Sequence, residues 1–246
     1  MGGNIMVYRY PLRIWTDEGF GVFLLNPPGH GKSDGTFNFQ NTRDLLTSEI
    51  AKLTEKFGSE IPFVGIGHSG GGSTLLRFFD SNKETNLKKI FLLSPILNTA
   101  LSLHYLYKNN KIDEFTNSLR LKNREILNIL SNEKWMEKNF WDNANLKAKI
   151  NRLATKDSAI KLELGTFLEN IFIPTKTFYD CFNNLSEKSE ILLPSEDIWF
   201  PIKDSVDTAT KFNFPFHIIE NAKDHFFRNA WKDVSSHISK SLEILF

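Results

Sequence analysis

Ser69 lies in the pentapeptide Gly67-His68-Ser69-Gly70-Gly71, which directly follows the apolar run at residues 61–66. A Gly-x-Ser-x-Gly sequence between a buried strand and a helix is typical of a sharp turn that exposes a serine nucleophile. The turn is tight, so we expect Gly67 and Gly71 to be required because a side chain would not fit there. The N-terminal end of the next helix would favour negative charge developing near Ser69. The spacing therefore predicts acyl transfer through a serine.

A serine hydroxyl is a weak nucleophile near neutral pH, so it needs a base and an acid that orients the base. Two late apolar runs, at residues 191–193 and 216–219, predict strands. The segment after the first contains Asp197, and the segment after the second contains His225. These two residues are the candidate acid and base.

Other titratable residues near these two remain alternatives. Glu196 and Asp204 could replace Asp197 as the acid, whereas Asp224 is expected to be a surface or helix-capping charge. His68 is interpreted as an ordinary occupant of the variable position in the serine turn. The weaker candidates for the base are His30, His68, His104, His217 and His237.

Strand-like and helix-like segments alternate along much of the chain, which predicts an α/β protein with a mainly parallel sheet flanked by helices. The predicted strands lie at 21–25, 63–66, 89–93, 191–193 and 216–219, and the predicted helices around them at 44–56, 73–79 and 226–242.

The strand signal fades between residues 94 and 189, where apolar residues recur at helical spacing. We predict a helical insertion at 97–188 over the carboxyl edge of the sheet, between two parts of one core at 1–96 and 189–246. An ordinary helical subdomain without a role in binding is the alternative.

Three segments together carry a resemblance to a known family. Residues 26–33, Asn-Pro-Pro-Gly-His-Gly-Lys-Ser, resemble the Asp-x-Pro-Gly-x-Gly-x-Ser turn of α/β-hydrolases in the lysophospholipase and serine-aminopeptidase-like group. Residues 67–71 resemble the nucleophile elbow of that group, and Asp197 and His225 fall where its acids and bases fall. The resemblance implies an α/β-hydrolase fold with a helical lid, no cofactor, and a small acyl substrate. Carboxylic esters are the default, with thioesters and amides left open.

The oxyanion hole of such an enzyme needs two backbone N–H donors. Gly70, directly after the nucleophile, is the first candidate. Residues 1–4, Met-Gly-Gly-Asn, resemble the second donor loop of the family, which implies Gly3 as the donor, or Asn4 if the register slips by one. An unstructured terminus is the alternative.

The same resemblance implies that one strand of the family sheet would lie upstream of Met1. We therefore expect either an unusual closing of the sheet or an N-terminally shortened chain with lower stability and impaired activity. A hydrolase scaffold that retains only a binding function is accordingly the rival to an active enzyme.

Within the predicted insertion, four aromatic residues are expected to form a lid over an apolar acyl pocket. They are Phe140, Trp141, Phe167 and Phe172.

Composition disfavours several other function classes. The formal net charge is +1, which gives no indication of nucleic-acid binding, and no apolar run approaches the ~20 residues that span a bilayer. The single cysteine, Cys181, suits a cytoplasmic protein and offers no cysteine-based metal site. Residues 26–33 also approximate a phosphate-binding loop, but Pro27 and Pro28 offer no N–H to a phosphate. The sequence contains no indication of oligomeric state.

Overall fold

A computed structural model of the chain describes residues 9–83, 85–97, 99–158, 160–172, 176–197 and 199–245. Its sheet contains four parallel strands in the order β1-β2-β3-β4. The strands are β1 (Phe63–His68), β2 (Leu87–Leu93), β3 (Ser189–Pro194) and β4 (Phe216–Ile219). Four of the five predicted strands are thus confirmed, and their carboxyl ends share one edge of the sheet.

The α-helices of the described residues are numbered in chain order. They are α1 (Arg9–Asp17), α2 (Phe39–Phe57), α3 (Gly70–Ser81), α4 (Thr99–Lys108), α5 (Ile112–Ser118), α6 (Arg124–Leu130), α7 (Ala144–Asp157), α8 (Leu164–Phe172), α9 (Lys176–Leu185), α10 (Ile202–Lys211) and α11 (Trp231–Glu243). None of these helices combines the length and the apolar character needed to cross a membrane.

The described residues divide into two compact units. One unit contains residues 9–24, 47–98 and 177–245, and it holds the whole sheet. Its core includes Phe91, Leu192, Phe227 and Trp231, all buried, because α1 and α11 pack together and their apolar side chains join those of the sheet in one cluster. This is the arrangement predicted for a parallel sheet covered by helices.

The other unit is helical and contains residues 25–46 and 99–176. Trp135 and Trp141 are fully buried in its core, and their indole N–H groups donate to the carbonyl oxygens of Leu130 (3.0 Å) and Trp135 (2.8 Å). Trp141 and Phe167 are therefore core residues of this unit, with Phe140 packed against them. The side chain of Phe172 lies outside the described residues. The insertion boundaries at 97 and 188 and the lid stay predictions.

The predicted strand at residues 21–25 is wrong, because the structure has no strand there. Val22 is 37% exposed and Phe23 is 51% exposed. A strand needs a neighbour that completes its hydrogen-bond ladder, and within the described residues β1 pairs only with β2. Residues 21–25 do not pair with β1 or another described strand, so this apolar run stays irregular.

The last predicted helix begins five residues later than expected, at Trp231 rather than Phe226. Turns at residues 225–226 and 228–230 flank Phe227, whose φ of 52° a helix cannot accommodate. His225 therefore lies in a loop of turns between β4 and α11.

Candidate active site

Ser69 occupies the turn between β1 and α3 with φ 54° and ψ −126°. A non-glycine residue rarely adopts this backbone conformation, and such strain persists only when surrounding contacts hold it. The Ser69 N–H donates to the carbonyl oxygen of Leu93 at 2.9 Å, and the Ser69 carbonyl oxygen accepts from Ile96 at 3.4 Å. The end of β2 thus holds the serine in the tight turn that the pentapeptide predicts.

The steric requirement for glycine in this turn differs from the expectation. A Cβ on Gly67 would lie 2.7 Å from Cα of Gly72 and 2.8 Å from its nitrogen, which no real structure tolerates. A Cβ on Gly71 would meet nothing within 4 Å, so the predicted requirement at Gly71 is wrong. The first turn of α3 lies directly over Gly67, with backbone atoms of Gly71 and Gly72 within 2.9 Å of the Cβ position, so the steric requirement falls on Gly67.

Asp197 and His225 lie in the loops after β3 and β4. Oδ2 of Asp197 is 2.7 Å from Nδ1 of His225, and 5% of each side chain is exposed. Because an ionised carboxylate only accepts, Nδ1 is the donor, and Nε2 of His225 is left to take a proton from a substrate or nucleophile. This is the arrangement by which an acid orients a histidine base.

The other oxygen of Asp197 fixes its own loop. Oδ1 accepts hydrogen bonds from the backbone N–H groups of Trp199 at 2.8 Å and Phe200 at 3.1 Å. Such a turn is a common use of aspartate in loops. Both carboxylate oxygens are therefore engaged, and the side chain is held in one orientation.

The alternative acids lie elsewhere. Glu196 forms an ion pair with Lys223 (2.9 Å) in which the two side chains are 64% and 58% exposed. Asp204 lies in the first turn of α10, and Asp224 Oδ1 accepts from the N–H of Phe226 at 2.7 Å. The structure places Asp197, rather than its neighbours, against His225.

Ser195 joins the two loops that carry Asp197 and His225. Its hydroxyl lies 2.8 Å from the carbonyl oxygen of Glu220 and 2.7 Å from that of Ala222, and its N–H donates to Ala222 at 2.9 Å. These contacts fix the spacing of the acid and base loops through the backbone. No motif in the sequence singled out Ser195.

His68, expected from the sequence to be an ordinary turn residue, contacts the His225 loop directly. Its Nε2 is 2.8 Å from the carbonyl oxygen of His225, and the two rings are 4.9 Å apart between centroids. Burial, and secondly the nearby His225, lower the pKa of His68 to about 3. The only sequence signal for this contact was an imidazole directly before the serine.

Aromatic rings surround the imidazole of His225. The rings of Phe200 and Phe226 both have centroids 5.2 Å from that of His225, and the His68 ring lies 5.3 Å from Phe226. Such apolar surroundings restrict water and strengthen the hydrogen bond to Asp197.

Of the two candidate oxyanion donors, Gly70 and Gly3, Gly70 is among the described residues. Gly70 is the first residue of α3, a position whose N–H has no acceptor within its own helix, and a Cβ there would meet nothing within 4 Å. Its backbone is therefore open to close approach. Gly3 lies outside the described residues and stays a prediction.

The weaker histidine candidates have other contacts. His30 lies in the helical unit, 3.2 Å from the carbonyl oxygen of Pro28, and burial lowers its pKa. Nε2 of His237 contacts Glu190, and its ring stacks on His217 at 4.5 Å.

A parallel sheet with a strained serine turn after one strand, and a carboxylate–histidine pair in the loops of two later strands, is the plan of an α/β-hydrolase. The family model of the serine aminopeptidases, S33, matches residues 1–157. The chain belongs to this family, as the motifs at 26–33 and 67–71 indicated.

Two solved hydrolases illustrate the fold. A monoacylglycerol lipase from Paleococcus ferrophilus is 19% identical with a TM-score of 0.54, covering 96% of this chain and 91% of that chain. An E-2-(acetamidomethylene)succinate hydrolase is 12% identical with a TM-score of 0.63, covering 99% and 88%. At these identities the likeness shows the fold alone.

One relative is similar at the sequence level over a shorter stretch. Protein phosphatase methylesterase 1 of Candida albicans is 29% identical over 103 residues. The match covers 41% of this chain and 28% of that protein, so the chain spans little more than a quarter of its length.

Proposed function

We propose that this hydrolase cleaves carboxylic esters through an acyl-enzyme on Ser69. The buried hydrogen bond of 2.7 Å between Asp197 and His225 carries the proposal. Both residues lie in loops at the edge of the sheet where β1 ends and Ser69 follows. The loop that contains His225 also contacts His68, the neighbour of Ser69. A buried carboxylate–imidazole pair at this edge of the sheet is typical of a catalytic acid and base, which supports the proposal.

The reaction follows from the roles of these groups. Ser69 Oγ attacks the ester carbonyl carbon while His225 Nε2 takes the hydroxyl proton, and Asp197 holds the imidazole by its Nδ1–H. The N–H groups of Gly70 and Gly3 stabilise the oxyanion. When the C–O bond breaks, His225 returns the proton to the departing alcohol. Water, activated by His225, then releases the acid from Ser69.

Two arguments favour esters over amides as the substrates, one from the chemistry of the leaving group and one from a relative. An alkoxide leaves with less protonation than an amine requires, so an ester makes smaller demands on the position of His225. The Candida albicans relative is by its name a methylesterase, whereas the family name denotes an aminopeptidase. A panel that contains both bond types therefore decides the substrate class.

The test combines covalent labelling with hydrolysis. A fluorophosphonate probe should label the unmutated protein and Ser131→Ala, which removes an exposed serine of the helical unit, but not Ser69→Ala. p-Nitrophenyl acetate and butyrate should be hydrolysed faster than aminoacyl p-nitroanilides. Unchanged hydrolysis by Ser69→Ala would exclude Ser69 as the nucleophile, and absence of labelling in the unmutated protein would favour a scaffold without catalysis.

A further inference from the structure

We propose that His68 is a positioning residue that anchors the main chain of the base, His225, to the turn that carries the nucleophile. The inference rests on the proposed function, in which His225 is the base and Ser69 the nucleophile. His68 would touch no reacting atom itself and would act only through His225.

The direction of the hydrogen bond follows from its acceptor. A carbonyl oxygen only accepts, so Nε2 of His68 must carry the proton that it shares with the His225 carbonyl at 2.8 Å. The low pKa of His68, about 3, keeps the ring neutral throughout the pH range in which esters are assayed. A single Nε2–H donor is therefore present whenever the enzyme works.

The position of this hydrogen bond explains what it does. Residues 225–230 contain turns and no helix, and Phe227 has a positive φ of 52°, so the backbone around His225 has no helical ladder to hold it. Asp197 holds the imidazole at Nδ1, but a ring held at one atom can still pivot about that contact. The hydrogen bond from His68 is a second contact, at the backbone carbonyl of His225. It fixes the main chain from which the imidazole extends.

The contact also joins two segments that are 157 residues apart in the sequence. His68 is the last residue of β1 and pairs with Leu93 of β2, so its backbone is part of the sheet. Ser69 follows it directly. One side chain therefore links the position of the base to the rigid strand that positions the nucleophile, and Phe226 packs against both rings at 5.2 and 5.3 Å.

Glutamine and asparagine provide a matched pair for the test. The Nε2 atoms of glutamine and histidine are separated from Cα by the same number of bonds, so His68→Gln keeps a donor in place. The amide nitrogen of asparagine is one bond closer to Cα and cannot reach the carbonyl. His68→Leu removes the donor and keeps an apolar side chain.

With p-nitrophenyl acetate, His68→Asn and His68→Leu should lower kcat by about 10- to 100-fold with little change in KM, as expected for a displaced base. His68→Gln should recover most of the rate. If His68 had a purely structural role, the loss of kcat in each variant would instead follow its loss of stability, measured by thermal unfolding. Equal kcat in all three variants and the unmutated protein would overturn the proposal.

A second readout does not depend on activity. In the Ser69→Ala background, proton NMR can follow exchange with water of the Nδ1–H that His225 shares with Asp197. Exchange should be faster in His68→Asn and His68→Leu than in His68→Gln. Equal exchange rates would overturn the role of His68, whereas failure of the proposed function appears separately, as absence of fluorophosphonate labelling in the unmutated protein.

Discussion

Asp197 and His225 are 28 residues apart in the sequence and are joined by a hydrogen bond of 2.7 Å in which both side chains are 95% removed from solvent. The contact exists because β3 and β4 are parallel neighbours whose carboxyl ends share one edge of the sheet. Of the adjacent carboxylates, Asp197 contacts the imidazole of His225, whereas Glu196 pairs with Lys223 at the surface.

Asp197→Asn should lower kcat for p-nitrophenyl acetate by about 10³- to 10⁴-fold, as losing the orienting acid does in serine hydrolases. The amide can present N–H groups to Nδ1 and so favours the wrong imidazole tautomer, while its Oδ1 can keep the turn at Trp199 and Phe200. Steady-state kinetics and thermal unfolding together measure the effect.

The matched control is Glu196→Gln, which removes the adjacent exposed carboxylate and its ion pair with Lys223. Exposed ion pairs contribute little, so kcat and stability should remain near the unmutated values. If Asp197→Asn retained a kcat within tenfold of the unmutated protein, Asp197 would not be the acid.

Gly67→Ala should be strongly destabilising because the new Cβ would lie within 2.9 Å of three backbone atoms of Gly71 and Gly72. Backbone atoms cannot move aside cheaply, and we expect a loss of about 3 kcal/mol or more in the free energy of unfolding. Urea unfolding measures this loss, and fluorophosphonate labelling should fall with it.

Gly71→Ala is the internal control for that substitution. Its Cβ would enter open space, and alanine is preferred to glycine in a helix by up to about 1 kcal/mol. Stability should be unchanged or slightly higher. Equal losses in the two variants would contradict the assignment of the steric requirement to Gly67.

Acidification should destabilise the protein through His68. Its pKa is about 3 when folded and 6.5 when free, so between these values the unfolded chain binds more protons and stability falls as the pH falls. Between about pH 7 and pH 4 the contribution is on the order of 3 kcal/mol.

Urea unfolding of the unmutated protein and His68→Gln at both pH values measures this contribution. Glutamine does not titrate, so the variant should lose less stability on acidification. Parallel pH dependences would show that His68 is not the group that titrates.

Ser195→Ala should loosen the acid and base loops relative to each other. It removes the hydroxyl that lies within 2.8 Å of two carbonyl oxygens of the base loop, at a cost of about 1 kcal/mol. We expect kcat to fall several-fold in the variant, with KM nearly unchanged.

Ser195→Thr retains a hydroxyl at the same position and should preserve kcat. A common loss in the alanine and threonine variants would indicate a packing effect rather than a lost hydrogen bond.

Much of the architecture is readable from local sequence. The alternation of apolar runs with helical spacing predicts the four strands of the sheet, and the pentapeptide around Ser69 predicts the turn between β1 and α3. These features depend on periodicity and on the conformations open to glycine, which are properties of the local sequence. The roles of Asp197, His225 and Gly3 remain proposals.

Only the tertiary structure decided the remaining features of the fold and the site. These features depend on contacts between segments that are distant in the sequence. Residues 21–25 look like a strand but do not pair with the described strands, and the serine turn excludes a side chain at Gly67 but not at Gly71. His68 gains its contact from a loop 157 residues away. The pairing of parallel strands brings such segments together, and the register of that pairing cannot be read from a local sequence pattern.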